Sequence, residues 1–313
     1  MRIAILDAIL MFSTAYRKNQ LLLIIVLSIS MSSCISQIPK SETPTFNPER
    51  VFQALEYQVD LGPRVIGSHA HEQVRSWLLS TSKDLGWEVE DQTLYYGGHE
   101  IQNIIAKREI NDNLPWVILG AHYDSRIIAD RDPLPENRTK PVPGANDGAS
   151  GVSVLLELAR ILPDDLQANI WLVYFDAEDN GSMPGGEWIL GSRAFVGSLQ
   201  GKPDAVVILD MVGDEDLNIH IETNSDPNLA QEIWGIAELL GYENEFINLP
   251  KHRIIDDHLP FIQAGIPAVD IIDFDYPYWH TVADTTDKVS PKSLKIVGDV
   301  VQKWLIERYS VNP

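Results

Sequence analysis

Residues 116–124 read WVILGAHYD, a short apolar run that ends in a histidine and an aspartate. Two further runs have the same form: residues 170–176 read IWLVYFD, and residues 205–210 read AVVILD. Continuous apolar strands of this length are typical of a parallel sheet that is covered on both faces. The three runs therefore predict the centre of an α/β fold, with polar side chains placed where the strands end.

The segments around these strands carry the signals of helices and of one hairpin. Alternating residues predict paired strands at 88–96 and 101–108, joined through Gly97-Gly98, and a further buried strand is predicted at 266–272. The predicted helices cover residues 48–57, 70–85, 152–162, 193–199, 227–240, 259–264 and 291–309. Strands that alternate with helices predict a three-layer α/β/α sandwich in one domain, with a mostly parallel mixed central sheet.

Composition narrows the classes of function. The chain has 313 residues, of which 44% are hydrophobic and 22% charged, as in a folded globular protein. Its formal net charge of −21 gives it no electrostatic reason to bind nucleic acid or an anionic lipid surface, although it permits carboxylate clusters that hold a cation. Cys34 is the only cysteine, so histidines and carboxylates must hold any metal ion in the domain.

The first residues have the pattern of an export signal. Arg17 and Lys18 precede an apolar run that begins at Leu21, and small residues lead to Cys34. This pattern resembles the bacterial lipobox, in which the cysteine becomes the lipidated first residue; a plain secretory signal is the alternative. We therefore expect a lipoprotein signal peptide at 1–33, a flexible tether at 34–47 and one catalytic domain at 48–313. The expected protein is exported and anchored to a membrane only by its lipid, in the periplasm or on the surface of a bacterium.

Acids and histidines recur at the predicted strand ends. In an α/β sheet such residues meet at one edge, where ligands gather. Each also has an ordinary explanation, as a turn, a helix cap or a packed ring, and His69 and His71 are best explained as capping or surface residues. The residues that we expect to converge are His122, Asp147, Glu178, Asp179, Asp210 and His280.

Short strings around these residues resemble the zinc-dependent M28 metallopeptidase family, which contains aminopeptidases and glutaminyl-peptide cyclotransferases. They occur in the family's order over nearly all of residues 50–310. The strings are AHYDS (121–125), GANDG (144–148), FDAED (175–179), GSR (191–193), LDMVG (209–213), DDHLPF (256–261) and WHT (279–281).

The resemblance implies a zinc exopeptidase-like fold, one or two Zn²⁺ ions and peptide amino termini as substrates. It implies that Asp147, Asp179 and His280 are zinc ligands and that Glu178 is the general acid/base. In two-metal aminopeptidases, His122 and Asp210 would complete a second site, with Asp147 bridging. In cyclotransferases, Asp210 and Asp256 would instead join a catalytic hydrogen-bond network with Glu178. Asp179 departs from the family's more common glutamate, but it still supplies a carboxylate oxygen.

Three features favour the cyclotransferase branch. The stretch between Asp179 and Gly191 is long and holds Trp188, an extra acid is present at Asp256-Asp257, and Tyr276 and Trp279 place aromatic rings near His280. We therefore expect Trp188, Tyr276 and Trp279 to bind substrate.

Other functions remain open from the sequence. The intact pair of His122 and Asp210 is compatible with an aminopeptidase, and an inactive binding module on the same fold is a further alternative. A serine hydrolase is disfavoured, because the best nucleophile candidate, Ser150, lacks the Gly-x-Ser-x-Gly spacing.

Overall fold

The computed structural model describes residues 44–182 and 185–310. The predicted signal peptide, the lipidation site Cys34 and most of the predicted tether lie outside these residues. Within the described part of the chain, no helix is both long and apolar enough to cross a membrane. The folded unit already includes Phe46, whose ring is buried against Gly298, and Asn47, which caps the first helix.

Helices and strands alternate as the sequence predicts. The helices are α1 Pro48–Asp60, α2 His69–Asp84, α3 Ala149–Ile161, α4 Leu190–Ser198, α5 Pro227–Leu240, α6 Leu259–Gln263 and α7 Pro291–Tyr309. The strands are β1 Glu88–Tyr96, β2 His99–Arg108, β3 Trp116–His122, β4 Asn169–Phe175, β5 Ala205–Asp210, β6 Ile219–Ile221, β7 Phe246–Pro250 and β8 Ala268–Ile272. Short 3₁₀ turns occur at Pro135–Asn137 and Thr286–Lys288.

Side-chain caps explain where several helices begin. Asn47, Ser68, Asp226 and Ser290 each accept a hydrogen bond from a backbone N–H in the first turn of the helix that follows. Proline at the start of α1, α5 and α7 adds to this signal, because its missing N–H would have no helical partner there. The bounds predicted for α5 and α7 are confirmed.

Six strands form the central sheet in the order β1-β2-β4-β3-β5-β8. β3 runs parallel to both β4 and β5, and β8 runs parallel to β5. β1 and β2 form the predicted antiparallel hairpin, and β2 pairs antiparallel with β4. The mostly parallel mixed sheet of the prediction is therefore confirmed, and its parallel half carries the strand ends that matter for the site.

Helices cover both faces of this sheet. The larger core joins one face to α1, α2, α3, α5 and α7, and within β3 it receives Val117, Leu119 and Ala121. Ile118 points to the opposite face, where Phe195 of α4 and Phe261 of α6 close a smaller core. This alternation explains why residues 116–121 are apolar without interruption.

The pair β6–β7 was not predicted from the sequence. It is a separate two-stranded parallel sheet of three and five residues, with an irregular register between His220 and Ile221. Segments this short contain too few residues to establish a period-two pattern, so their pairing depends on tertiary contacts.

Helix α3 approaches β5 closely at Gly151. A Cβ atom on this residue would lie 2.1 Å from the backbone carbonyl oxygen of Leu209. Glycine therefore lets the start of α3, which follows Asp147, pack directly against the strand that ends in Asp210.

We predict that Gly151→Ala destabilises the protein by about 2 kcal/mol, because the added methyl forces helix and strand apart. Urea unfolding of both proteins measures the difference. The matched control is Gly235→Ala in α5, where no atom lies within 4 Å of the new Cβ; it should raise stability by about 0.5–1 kcal/mol. Equal stability of Gly151→Ala and the wild type would contradict the close contact.

Candidate metal centre and substrate cleft

The predicted site residues meet at the carboxyl ends of the parallel strands. His122 is the last residue of β3, and Asp210 is the last residue of β5. Glu178 and Asp179 follow the end of β4, and Asp147 lies just before α3. The fold therefore converts strand ends that are distant in the chain into neighbours, as expected for this sheet type.

The backbone turns sharply beside these residues. Ala177, Met211 and His280 have φ angles of 55°, 47° and 54°, in the left-handed region that residues other than glycine seldom adopt. Ala177 precedes Glu178, and Met211 follows Asp210. Unusual backbone conformations of this kind concentrate at functional sites, where the surrounding packing holds them.

One potential ligand set consists of Asp147, Asp179 and His280. Their donor atoms lie within 4.8 Å of one another, and all three side chains are buried. His280 Nε2 is 3.2 Å from Asp179 Oδ1 and 3.9 Å from Asp147 Oδ2. These are the three residues that the family resemblance implies as the core zinc ligands, and the structure brings them together.

A second ligand set, His122, Asp147 and Asp210, shares one residue with the first. His122 Nε2 is 3.1 Å from Asp147 Oδ1 and 3.2 Å from Asp210 Oδ1. Asp147 thus directs one carboxylate oxygen towards His122 and the other towards His280. This is the geometry that a carboxylate bridging two cations requires.

The donors fit a zinc-type cation. Two imidazoles and three carboxylates provide the nitrogen and oxygen ligands that Zn²⁺ accepts in the absence of thiolates. Asp179 Oδ2 is buried and has no hydrogen-bond partner in the described structure. A buried carboxylate oxygen without a partner is costly, and a bound cation would satisfy it.

Each ligand histidine has a carboxylate behind it. Asp124 Oδ1 lies 3.5 Å from Nδ1 of His122, and Asp130 Oδ1 lies 3.2 Å from Nδ1 of His280. A carboxylate in this position is suited to orienting the ring so that Nε2 would face a metal ion. Neither role was predicted, although Asp124 belongs to the AHYDS string; Asp130 lies in a loop without any periodic pattern.

Two more groups hold the ligand carboxylates in place. Arg126 donates to Asp179 Oδ1 at 2.9 Å and is itself buried. Asp284 accepts hydrogen bonds from the backbone N–H groups of Asn146 and Asp147 at 2.8 and 3.2 Å. Sequence reasoning missed both residues, because each acts across a long separation in the chain.

Arg64 ties together the loops that carry the site. Its guanidinium is fully buried and donates to the carbonyl oxygens of Tyr123, Pro143 and Gly144 at 3.0, 2.9 and 2.6 Å. Burial lowers the pKa of Arg64 to about 10. Arg64 therefore helps to hold the segment after β3 against the segment before Asp147, which the backbone hydrogen bond from Val142 N–H to the carbonyl oxygen of Arg126 also joins.

A cleft of about 280 Å³ opens beside the ligands. Glu178, Asp210 and Asp256 line it, as do Trp188 and Trp279. Burial raises the pKa of Glu178 well above its ordinary value, and the nearby carboxylates of Asp179 and Asp256 raise it further. A carboxyl group with a raised pKa is suited to accepting and returning a proton near neutral pH.

Further polar residues lie behind Asp256. His258 Nε2 is 3.1 Å from Glu222 Oε2, and His258 Nδ1 is 3.5 Å from Asp270 Oδ2. Asp256, His258 and Asp270 form a third close buried group, and all of them are shielded from solvent. These residues fix the segment that presents Asp256 to the cleft.

Tryptophans flank the ligand His280. The ring of Trp279 is stacked on the imidazole at a centroid distance of 3.8 Å, and that of Trp188 is stacked at 5.9 Å. An isolated strand bridge between Asp179 and Trp188 carries the latter ring to the ligands. Both side chains line the cleft, where the sequence predicts substrate contact.

Tyr276, the third aromatic residue predicted to bind substrate, does not line the cleft. It is buried against Met211 and Ile272, and its hydroxyl donates to Asp284 at 2.8 Å. Its contact with Asp284 makes it an anchor for the loop of Asp147, so the structure places it behind the site.

The expectation that His71 is a capping or surface residue is wrong. His71 is buried, and its Nε2 lies 2.8 Å from Asp176 Oδ1. Asp176 also accepts a hydrogen bond from the N–H of Gln102, so it ties α2 and β2 to the end of β4. His71 lies on the inward face of α2. Most of its neighbours in the sequence are polar, so the sequence did not indicate that it is buried.

Comparisons with known proteins give a consistent result. A model of peptidase family M28 matches residues 103–305. The glutaminyl-peptide cyclotransferase of Gloydius blomhoffii is 25% identical over 90% of this chain and 85% of its own length.

Solved structures extend the likeness to three dimensions. The crystal structure of Porphyromonas gingivalis glutaminyl cyclase is 33% identical, with a TM-score of 0.79, over 84% of this chain and 99% of that chain. A leucine aminopeptidase precursor from Bacteroides thetaiotaomicron is 32% identical, with a TM-score of 0.78, over 84% of this chain and 98% of that chain.

We predict that chelation lowers the melting temperature of the protein by about 5 °C or more, because a cation that binds only the folded state stabilises it. Adding Zn²⁺ back should restore it. Asp147→Asn should abolish this response, since Asp147 belongs to both ligand sets and the variant removes its negative charge. The control is Asp112→Asn, an exposed loop acid that should retain the response. An unchanged melting temperature of the wild type after chelation would contradict the metal centre.

Proposed function

Because this chain belongs to peptidase family M28, we propose that it is a zinc-dependent glutaminyl-peptide cyclotransferase. Such an enzyme converts an amino-terminal glutamine of a peptide to pyroglutamate and releases ammonia. One observation carries the choice: Glu178 and Asp256 line a small cleft whose walls include Trp188 and Trp279 beside the ligand His280. Neither carboxylate has a Lys, Arg or His partner within 4.0 Å in the described structure.

The metal ligands in this proposal are Asp147, Asp179 and His280; His122 and Asp210 would hold a second ion, together with Asp147, only in the aminopeptidase alternative. Bound Zn²⁺ supplies a Lewis acid that polarises the carbonyl group under attack. Arg126, Asp124 and Asp130 would keep the ligand side chains oriented.

Glu178 is the proton carrier of the reaction. As the α-amine nitrogen bonds to the side-chain amide carbonyl carbon (Cδ) of the glutamine, Glu178 accepts a proton from that nitrogen. It then gives the proton to the amide nitrogen, whose bond to Cδ breaks and which leaves as ammonia. Asp210 and Asp256 help to bind the amine and hold Glu178. Burial raises the pKa of Asp210 to about 7, which suits a group that shares protons with its neighbours.

The tryptophans give the cleft its shape. Trp279 and Trp188 are half-buried and flank His280, so a planar amide can lie against an aromatic face beside the ligands. A volume of about 280 Å³ suits one amino-terminal residue rather than several.

An aminopeptidase is the second candidate, and one observation favours it. The set of His122, Asp147 and Asp210 is complete and shares Asp147 with the first set, as hydrolysis with two cations would require. In that case Glu178 would take a proton from the water that attacks the first peptide bond. An inactive binding module is disfavoured, because Glu178 and all ligand residues are present.

We predict that the purified protein releases ammonia from Gln-Ala-Ala-amide and leaves Leu-Ala-Ala-amide uncleaved. Glu178→Gln should lower kcat/KM for the glutamine peptide at least about 100-fold, because proton transfer is lost, while the metal content per chain stays unchanged. An ammonia-coupled assay, mass spectrometry of the products and metal analysis measure these quantities.

The matched control for this variant is Glu238→Gln on the exposed side of α5, which should retain wild-type activity. Cleavage of the leucine peptide without ammonia release from the glutamine peptide would replace the cyclotransferase by the aminopeptidase. Full activity of Glu178→Gln would remove this residue from the mechanism.

We further propose that the protein is exported and attached to a bacterial membrane through lipid on Cys34, with residues 34–47 as a tether and 48–313 as the catalytic domain. The support is the sequence pattern of basic residues, apolar run and Ser32-Ser33-Cys34.

In a bacterial host, Cys34→Ser should move the protein from the membrane fraction to the soluble exported fraction. Immunoblots of the fractions measure this, and labelling with a clickable fatty acid should be lost in the variant. Ser41→Ala, a change within the proposed tether, serves as the control and should remain membrane-bound. Membrane association of Cys34→Ser equal to that of the wild type would contradict lipidation.

A further inference from the structure

Arg253 stands out among the residues that line the cleft. It lies between β7 and α6, on the segment that also carries Ile254 and Asp256. Among the described residues lining the cleft it is the only lysine or arginine, and the other charged side chains there are carboxylates. These carboxylates are Asp147, Glu178, Asp210 and Asp256.

The side chain of Arg253 is held from one edge. Its Nε donates to Asn224 Oδ1 at 2.9 Å. Asn224 is fixed in turn, because its N–H donates to Glu222 Oε2 at 2.8 Å and its Nδ2 donates to the carbonyl oxygen of Ile254 at 2.8 Å. Glu222 also contacts His258 and accepts from the N–H of Ile254. The exposed guanidinium is therefore oriented by Asn224, which is itself anchored to the buried Glu222.

The remaining edge of Arg253 has no acidic partner. No carboxylate oxygen lies within 4.0 Å of its nitrogens in the described part of the chain. Other cations of the described chain are neutralised by a carboxylate, since Arg75 pairs with Asp91 and Arg126 with Asp179. The side chain is exposed at the cleft, so its two terminal nitrogens can reach a ligand.

Guanidinium geometry defines that ligand. The two terminal N–H groups form a planar fork that matches a carboxylate, whereas a neutral amide or an ammonium group gains no comparable pair of bonds. The first residue of a peptide would occupy the cleft beside His280, so its later residues must leave past the rim. A carboxylate carried there can meet Arg253.

We propose that Arg253 determines specificity by pairing with a carboxylate in the first three residues of the peptide substrate. This inference rests on the proposed function at the same site. The carboxylate can come from an aspartate or glutamate side chain, or from the free carboxyl terminus of a very short peptide. Because the pairing lies away from the reacting atoms, it acts on KM and leaves kcat nearly unchanged.

The test compares amidated peptides with the wild-type protein: Gln-Ala-Ala-amide, Gln-Glu-Ala-amide, Gln-Ala-Glu-amide and Gln-Lys-Ala-amide. We expect at least one glutamate peptide to exceed the neutral peptide in kcat/KM about two- to fivefold, as for a partly exposed ion pair, and the lysine peptide to fall below it. Gln-Ala with a free carboxyl terminus, compared with Gln-Ala-amide, separates the terminal carboxylate from the side chain. The preference should shrink as salt rises.

In Arg253→Gln, the ratio of kcat/KM for glutamate to neutral peptide should fall to one or below, because the remaining carboxylates repel an acidic substrate. Arg253→Lys should keep part of the preference, since it retains the charge without the planar fork. The matched control is Lys251→Gln, which removes a nearby exposed cation that pairs with Asp275 and does not line the cleft; it should keep the wild-type ratio.

Equal kcat/KM for all four amidated peptides in the wild type would overturn the inference, as would a preference that persists in Arg253→Gln. Turnover of the neutral peptide distinguishes failure of the specificity role of Arg253 from failure of the proposed cyclotransferase function. If Gln-Ala-Ala-amide is converted but acidic peptides gain nothing, the specificity role of Arg253 fails and the cyclotransferase assignment stands. If no glutamine peptide is converted and the same ratios are obtained with leucine peptides, the assignment fails and the role of Arg253 stands.

Discussion

The burial of several carboxylates at one edge of the sheet is the constraint on which the rest of the structure depends. Asp147, Asp179 and Asp210 are shielded from water within reach of one another, and a buried charge without compensation costs several kcal/mol. The fold compensates with Arg126 at Asp179 and with two histidines that face these acids. A divalent cation would complete this compensation. The repulsion between the buried carboxylates, which is unfavourable for folding, would then favour binding of the cation.

Strands position some of the site residues at this edge of the sheet, and loops position the others. Parallel strands fix the positions of His122 and Asp210, because both are the terminal residues of hydrogen-bonded strands. The residues that come from loops need other supports, and Arg64 and Asp284 supply them through backbone groups. The cyclotransferase and aminopeptidase reactions could both use this scaffold. They would differ in whether the substrate's own amine or a water molecule gives its proton to Glu178, and in both cases the approach would be through the cleft that Trp188 and Trp279 line.

Much of the fold and the primary site was predictable from local sequence. An apolar run that ends in a histidine or an acid identifies both a buried strand and a residue at its carboxyl end, which is why His122, Glu178 and Asp210 could be assigned together. Residues that act through tertiary contacts gave no such signal. Asp130 and Asp284 look like ordinary loop acids, and the strand pair β6–β7 is too short to show a period. Tyr276 was assigned by its neighbours in the chain, but the direction of its ring depends on packing against Met211 and Ile272.

The two oxygens of Asp147 face different ligand sets, so ions held by both sets would be in a linked equilibrium. The first ion would draw on the negative charge that the second also needs, and the two cations would repel each other across one carboxylate. By thermodynamic reciprocity, each ion would weaken the binding of the other by the same factor. Loading of both sets would therefore be anticooperative, and the metal stoichiometry would depend on the free metal concentration around the protein.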